Sequence, residues 1–341
     1  MKVAVLHSYK DIRIEDWRIP EVEPGEALVQ MRACGICSGD VMPWYIEKKA
    51  PLVLGHEPAG RIFALGDGVK GFKEGDKVFM HHHAPCMNCE HCRRKNYVLC
   101  STWKRTRIVP GGLAEYVKVP AVNLMHDTLK LPNGVGYMEG TLVEPLACVV
   151  KGARRLGITP GDKVLVIGLG VMGILFTALA RHMGASKVIG TDMVPYRLAK
   201  ALDVGATDVV DITEESSKDY IMELTQGRGA DKVFVGPGSV PAMAQGISCA
   251  GPGSTVLFFT PTPPEETLKI NPNYLYFNEI TIVQSYSCGP DDTREALALL
   301  AEGAIPVDKI ITHKFPLEKT DEAFRLTAQA RESLKVVVTF D

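Results

Sequence analysis

Residues Gly168-Leu169-Gly170-Val171-Met172-Gly173 follow directly on an apolar run, 163–167, and open a stretch with helical spacing. A G-x-G-x-x-G run alone carries little weight, but between a strand and a helix it constrains the fold strongly. The glycines permit a tight turn, close helix–strand packing, and the approach of a pyrophosphate to backbone N–H groups at the helix amino end. Val171 and Met172 open that helix. Asp192 lies 19 residues past Gly173, at the end of the next expected strand. Its carboxylate suits the two ribose hydroxyls and repels a 2′-phosphate, which favours NAD over NADP, although Arg197, five residues on, is able to accept that phosphate. A tight turn with no ligand is the plainer alternative.

The pattern around this turn supports a doubly wound domain. Strands are expected at 163–167, 187–191, 208–210, 232–235, 255–259 and 279–284. Helices fall between them, from Val171, from Pro195, over 218–225 and over 240–250. Six apolar strands with intervening helices predict a six-stranded parallel sheet covered on both faces. The first 140 residues read differently: short strands at 2–6, 27–33, 59–65, 77–80 and 113–119, with turns between them and no long amphipathic helix. This portion predicts an irregular, largely antiparallel β-rich domain. Residues 138–156 read as helix. The tail predicts a helix at 293–302, a strand at 309–311, a helix at 319–330 and a strand at 335–340, returning to the first domain. The fold class is therefore α/β, with a catalytic domain over 1–146 and 286–341 and a dinucleotide-binding domain over 147–285.

A formal net charge of −2, with 46% hydrophobic and 23% charged residues, offers no electrostatic pull toward nucleic acid or an anionic membrane. A small-molecule substrate is the better expectation. The apolar run 164–180 contains Gly168, Gly170 and Gly173, which favours strand–turn–helix over a membrane span. The amino terminus has no signal-peptide pattern, so a cytoplasmic location is expected.

Four of the nine cysteines fall within fifteen residues: Cys86, Cys89, Cys92 and Cys100. Two-residue spacings let a knuckle present successive thiolates to one ion, and four thiolates close a tetrahedral, structural zinc site. An iron–sulfur cluster and four unrelated free thiols remain as alternatives. Cys148, Cys249 and Cys288 read as buried small hydrophobes. Further ligand-type residues, Cys37, His56, Glu57 and Glu144, sit in turn-rich segments, and spacing alone does not show that they share an ion.

Together these segments resemble the zinc-containing medium-chain dehydrogenase/reductase (alcohol dehydrogenase) family, in its polyol, sorbitol-like or threonine-dehydrogenase-like branch. The resemblance spans essentially the whole chain, through 34–40, Gly55-His56-Glu57, Gly75-Asp76-Lys77-Val78, the four-cysteine lobe, Gly111-Gly112-Leu113-Ala114-Glu115-Tyr116, Glu144-Pro145-Leu146 and the 168–173 turn. It implies a GroES-like catalytic domain beside a Rossmann domain, two zinc ions per chain, NAD, and a homo-oligomer, a tetramer or dimer. It implies a catalytic zinc held by Cys37, His56 and either Glu57 or Glu144, with the other carboxylate exchanging with it or hydrogen-bonding the zinc water. The ion would act on the hydroxyl of an alcohol, polyol, sugar derivative or hydroxy amino acid while a hydride moves to the nicotinamide.

Relatives usually start a proton relay from a Ser or Thr two residues after the zinc cysteine, often continued by a histidine. Here Gly39 takes that position, Ser38 sits one residue early and Met42 stands where the histidine is common. Either Ser38 reaches the site or water and Glu57 move the proton. Asp40 reads as an orienting carboxylate. His81-His82-His83 reads as solvent-facing or packing imidazoles, with one in the substrate pocket as the alternative. Trp44, Tyr45, Tyr286 and Cys288 are pocket candidates by analogy. The competing functional readings are a metal-independent reductase of the same fold and a non-catalytic NAD(P)-binding protein.

Overall fold

The computed structural model describes residues 1–214 and 217–341. The chain divides into two units, one of Met1–Ala147, Ser287–Gly303 and Ile311–Asp341, the other of Cys148–Tyr286 and Ala304–Ile310.

In the first unit seven strands form one sheet, in the order Ile311–Pro316, Lys335–Thr339, Ala27–Gly35, Glu57–Leu65, Lys77–Met80 and Thr128–Lys130, with Tyr116–Val119 also paired to Ala27–Gly35. Every pairing is antiparallel except that of the two carboxy-terminal strands. A smaller sheet joins Asp11–Asp16, Lys2–Ser8 and Leu52–Val53. Val29, Met31, Ile62, Val78, Val117, Val336 and Val338 point into a shared core. Lys335–Thr339 lies between Ile311–Pro316 and Ala27–Gly35, so the end of the chain is an interior strand of this sheet.

The second unit is a six-stranded sheet in the order Asp208–Asp211, Lys187–Asp192, Lys163–Ile167, Ala230–Val235, Ala250–Phe258 and Thr281–Gln284, parallel throughout. Residues 164–167 are apolar at every position because both faces are covered, and all four are buried. The apolar stretch from Val164 divides into this strand and the helix Val171–His182. Among the described residues no helix is long and apolar enough to cross a membrane.

Two expected elements differ. The single helix at 138–156 is two, Tyr137–Gly140 and Val143–Leu156. The Thr141 hydroxyl donates back to Met138 O at 2.7 Å, and Pro145 has no N–H to continue a ladder from the preceding turn. The expected strand at 309–311 begins only at Ile311, after a helical turn, Val307–Ile310. A short apolar run does not distinguish the two states.

Candidate functional site

Strands Ala27–Gly35 and Glu57–Leu65 pair antiparallel with Gly35 opposite Glu57. That register brings together the residues just beyond each strand end, Cys37 on one and His56 on the other. Gly35 is required there, because a Cβ at that position would collide with the Glu57 carboxylate. Donor atoms of Cys37, His56 and Glu57 all lie within 4.8 Å of one another. Cys37 opens a short 3-10 turn, Ser38–Val41, and its sulfur accepts a hydrogen bond from Gly39 N at 3.3 Å. Behind the histidine, buried Asp40 Oδ2 stands 3.4 Å from His56 Nδ1. A carboxylate in this place orients an imidazole whose other nitrogen faces an ion.

Both Glu57 oxygens accept hydrogen bonds from Lys335 Nζ, at 2.7 and 2.6 Å, and Lys335 also donates to Ile36 O at 3.1 Å. Lys335 was not among the residues read as functional from sequence. It opens a valine-rich strand, and nothing local marks it as a partner for Glu57. Burial alone would lower the pKa of His56, but Asp40, the Cys37 sulfur and Glu144 outweigh it and raise it well above the ordinary imidazole range. The pocket therefore favours positive charge. A thiolate, an imidazole and a carboxylate at this spacing suit zinc.

Glu144, in the first turn of Val143–Leu156, stands near enough to act on His56 and Lys335, and its donor atom also lies within 4.8 Å of those of His81 and Cys288. Ser38 is exposed. The histidine triplet is not solvent-facing: His81 and His83 are buried, and the half-buried His82 ring lies 5.0 Å from that of His56. His83 stacks on Trp103 at 3.9 Å. Trp44 and Tyr45 sit edge to face on Pro43–Ile46, while Tyr286 is exposed.

The four-cysteine segment gathers its sulfurs around one point. Cys86–Cys92, Cys89–Cys92 and Cys100–Cys86 are 4.0, 3.5 and 3.6 Å apart. Tetrahedral zinc with Zn–S of about 2.3 Å spaces its sulfurs about 3.8 Å apart. Four unrelated thiols would not converge in this way. Tyr97, Val98 and Trp103 complete a small apolar cluster around them.

In the second unit Gly168 turns the chain at φ +83°, and a Cβ on Gly173 would collide with Gly168 O. A Cβ on Gly170 would meet nothing, leaving space in front of Val171 and Met172, where the helix has no side-chain cap. This open, uncapped helix start fits a dinucleotide phosphate. Asp192 ends its strand with Oδ2 accepting from Leu169 N at 2.7 Å and Oδ1 from Met193 N and Val194 N at 2.8 and 3.0 Å. Arg197 Nη1 stands 3.5 Å from Asp192 Oδ2.

Residues 23–132 match the alcohol dehydrogenase GroES-like domain and residues 171–302 the zinc-binding dehydrogenase domain. Sorbitol dehydrogenase of Bombyx mori is 35% identical, over 98% of this chain and 97% of its own length. The chain belongs to the zinc-containing medium-chain dehydrogenase/reductase family. Its relatives place it in the polyol branch of that family. Human sorbitol dehydrogenase is 32% identical over 99% of this chain and 95% of its own length. The solved structure of 2R,3R-butanediol dehydrogenase from Bacillus subtilis superposes with a TM-score of 0.87 at 28% identity, covering 99% of each chain. For a member of this family, the departures at Gly39 and Met42 stand out, because neither residue carries a group that exchanges a proton.

Proposed function

We propose that this chain oxidises a polyol, or a related secondary alcohol such as a sugar derivative or hydroxy amino acid, by transferring a hydride to NAD. The observation that carries the reading is the convergence of Cys37, His56 and Glu57 at the paired strand ends, in a chain of the polyol branch. These three residues would hold the catalytic zinc, with Cys86, Cys89, Cys92 and Cys100 holding a structural one. Bound there, zinc supplies Lewis-acid polarisation of the substrate oxygen.

The rest is done by side chains. Asp40 fixes the His56 ring, and Lys335 fixes the Glu57 carboxylate, so the donor set is preorganised before substrate arrives. Protonating Glu57 would break its pair with Lys335, and Ser38 is exposed, so water takes the substrate proton. Gly168, Gly170, Val171, Met172 and Gly173 cradle the pyrophosphate, and Asp192 accepts from the adenosine ribose with Arg197 beside it. The reading includes a cytoplasmic homo-oligomer, a tetramer or dimer, which sedimentation of the purified protein tests.

The deciding experiment compares wild type with Cys37→Ser on sorbitol, threonine, inositol and simple alcohols, following NADH absorbance. Wild type is expected to turn over a polyol. The variant is expected to lose turnover while still binding NADH in a fluorescence titration. Wild type inert on the whole panel, or a variant as active as wild type, overturns the reading.

A further inference from the structure

We infer that His82 receives a second substrate hydroxyl, the one on the carbon next to the reacting carbon, beside the centre formed by Cys37, His56 and Glu57. The inference rests on the reading of that centre as the catalytic one, and adds the residue that tells a vicinal diol from a simple alcohol.

The three consecutive histidines do different work. His81 uses both ring nitrogens within the protein, with Nδ1 2.7 Å from Asp127 Oδ2 and Nε2 3.6 Å from Cys288 Sγ. His83 stacks on Trp103, with Nδ1 2.9 Å from Thr106 O. His82 differs from both. Its Nδ1 is buried and meets no hydrogen-bonding group of the protein, although the ring as a whole is only half-buried. A buried nitrogen left unpaired costs about 1–3 kcal/mol, so its persistence in a built site calls for a partner from outside the chain.

The surroundings of His82 say where that partner sits. Its ring lies 5.0 Å from that of His56, 4.9 Å from that of His81 and 4.1 Å from that of His83. Trp103 backs His83 at 3.9 Å, and Asp127 fixes His81. Held among three rings, His82 has little rotamer freedom to lose when a ligand arrives. Contact with His56 puts it next to a residue of the catalytic centre. A group that reaches His82 therefore stands a short step from the reacting oxygen, and on a polyol that group is the neighbouring hydroxyl. Burial, reinforced by the charges of His83, His81, His56 and Arg107, holds the His82 pKa well below the ordinary imidazole range. A neutral imidazole has one donor and one acceptor nitrogen, and a hydroxyl, which both donates and accepts, pairs with Nδ1 in either tautomer. A methylene in the same place pairs with neither and leaves the nitrogen stranded. A site built to bond a hydroxyl discriminates in this way against the analogue that lacks it.

The test compares 2,3-butanediol with 2-butanol, which differ only in the hydroxyl beside the reacting carbon, in the full-length zinc-loaded protein. Initial rates of NADH formation give kcat/KM for each alcohol, and quenching of bound NADH fluorescence gives binding apart from turnover. Wild type is expected to favour the diol in both. His82→Phe, which keeps a ring in the stack, should cut the diol-to-mono-alcohol ratio by about tenfold, the worth of one hydrogen bond. His82→Asn, which keeps a donor and an acceptor, should recover part of it. A ratio that is the same in His82→Phe as in wild type overturns the inference. So does loss of bound zinc from His82→Phe, since His82 would then serve the His56 ring and not the substrate. Wild type inert on both alcohols and on the wider polyol panel counts against the catalytic reading, while the quenching titration, which needs no turnover, still decides the role of His82.

Discussion

Lys335 Nζ spans both carboxylate oxygens of Glu57, 278 residues away in the chain, and the two side chains are 2% and 1% exposed. Removing one partner of such a pair strands the other charge in the interior. Lys335→Met should therefore destabilise the metal-stripped protein by about 3–5 kcal/mol, with Lys335→Arg losing less. Urea unfolding measures this. The loss should shrink when metal is loaded, because a bound cation gives Glu57 a second counter-charge. A stripped Lys335→Met variant as stable as wild type would show that the pair is dispensable.

The four-cysteine segment joins a polar loop to a small apolar cluster containing Trp103. Without an ion that loop has little to hold it. Cys92→Ser should reduce metal content by about one equivalent and lower Tm by an amount on the order of 10 °C, and a chelator should do the same to wild type. Calorimetry with metal analysis checks both. A chelated wild type with unchanged Tm would count against a structural ion.

Asp192 closes the turn through three backbone N–H groups and would meet the cofactor ribose. Asp192→Ala should weaken NAD by about tenfold more than NADP, the worth of a charge-assisted hydrogen bond. The ratio of the two affinities is the quantity to measure, since damage to the turn affects both cofactors alike. An unchanged ratio means that the carboxylate does not reach the ribose.

His83 is packed on Trp103, with Nδ1 2.9 Å from Thr106 O. Burial, aided by the Arg107 guanidinium and by His81, pushes its pKa down to about 3. The unfolded chain then binds the proton more readily than the folded one. Stability contributed by neutral His83 is present above the ordinary histidine value near 6.5 and is lost as pH falls from there toward 3. At pH 5 the loss is about 2 kcal/mol. In urea, His83→Gln should close on wild type between pH 7.5 and pH 5, and parallel curves would refute the assignment.

Much of this was legible in the sequence because it is local. The 168–173 turn and the cysteine spacings are short-range patterns whose geometry follows from backbone and ligand chemistry. The central strand of the parallel sheet was recognisable because, covered on both faces, it is apolar and buried from 164 to 167, and the outer strands, such as Asp208–Asp211 and Thr281–Gln284, were read from short apolar runs between expected helices. Cys37 and His56 were visible as ligand types, but their meeting depends on the Gly35–Glu57 register, which no local pattern encodes. Lys335 and the His81–Cys288 approach were invisible for the same reason. Each joins residues more than two hundred positions apart, through tertiary packing alone.

The interior placement of Lys335–Thr339 has a consequence for the order in which the protein is made. All six strands of the parallel sheet lie between residues 163 and 284, so they have left the ribosome before this strand is synthesised. Cys37, His56 and Glu57 emerge far earlier, yet Glu57 waits for its counter-charge until Lys335 is translated. A chain stalled before residue 335 would therefore hold the buried Glu57 carboxylate without its ammonium partner.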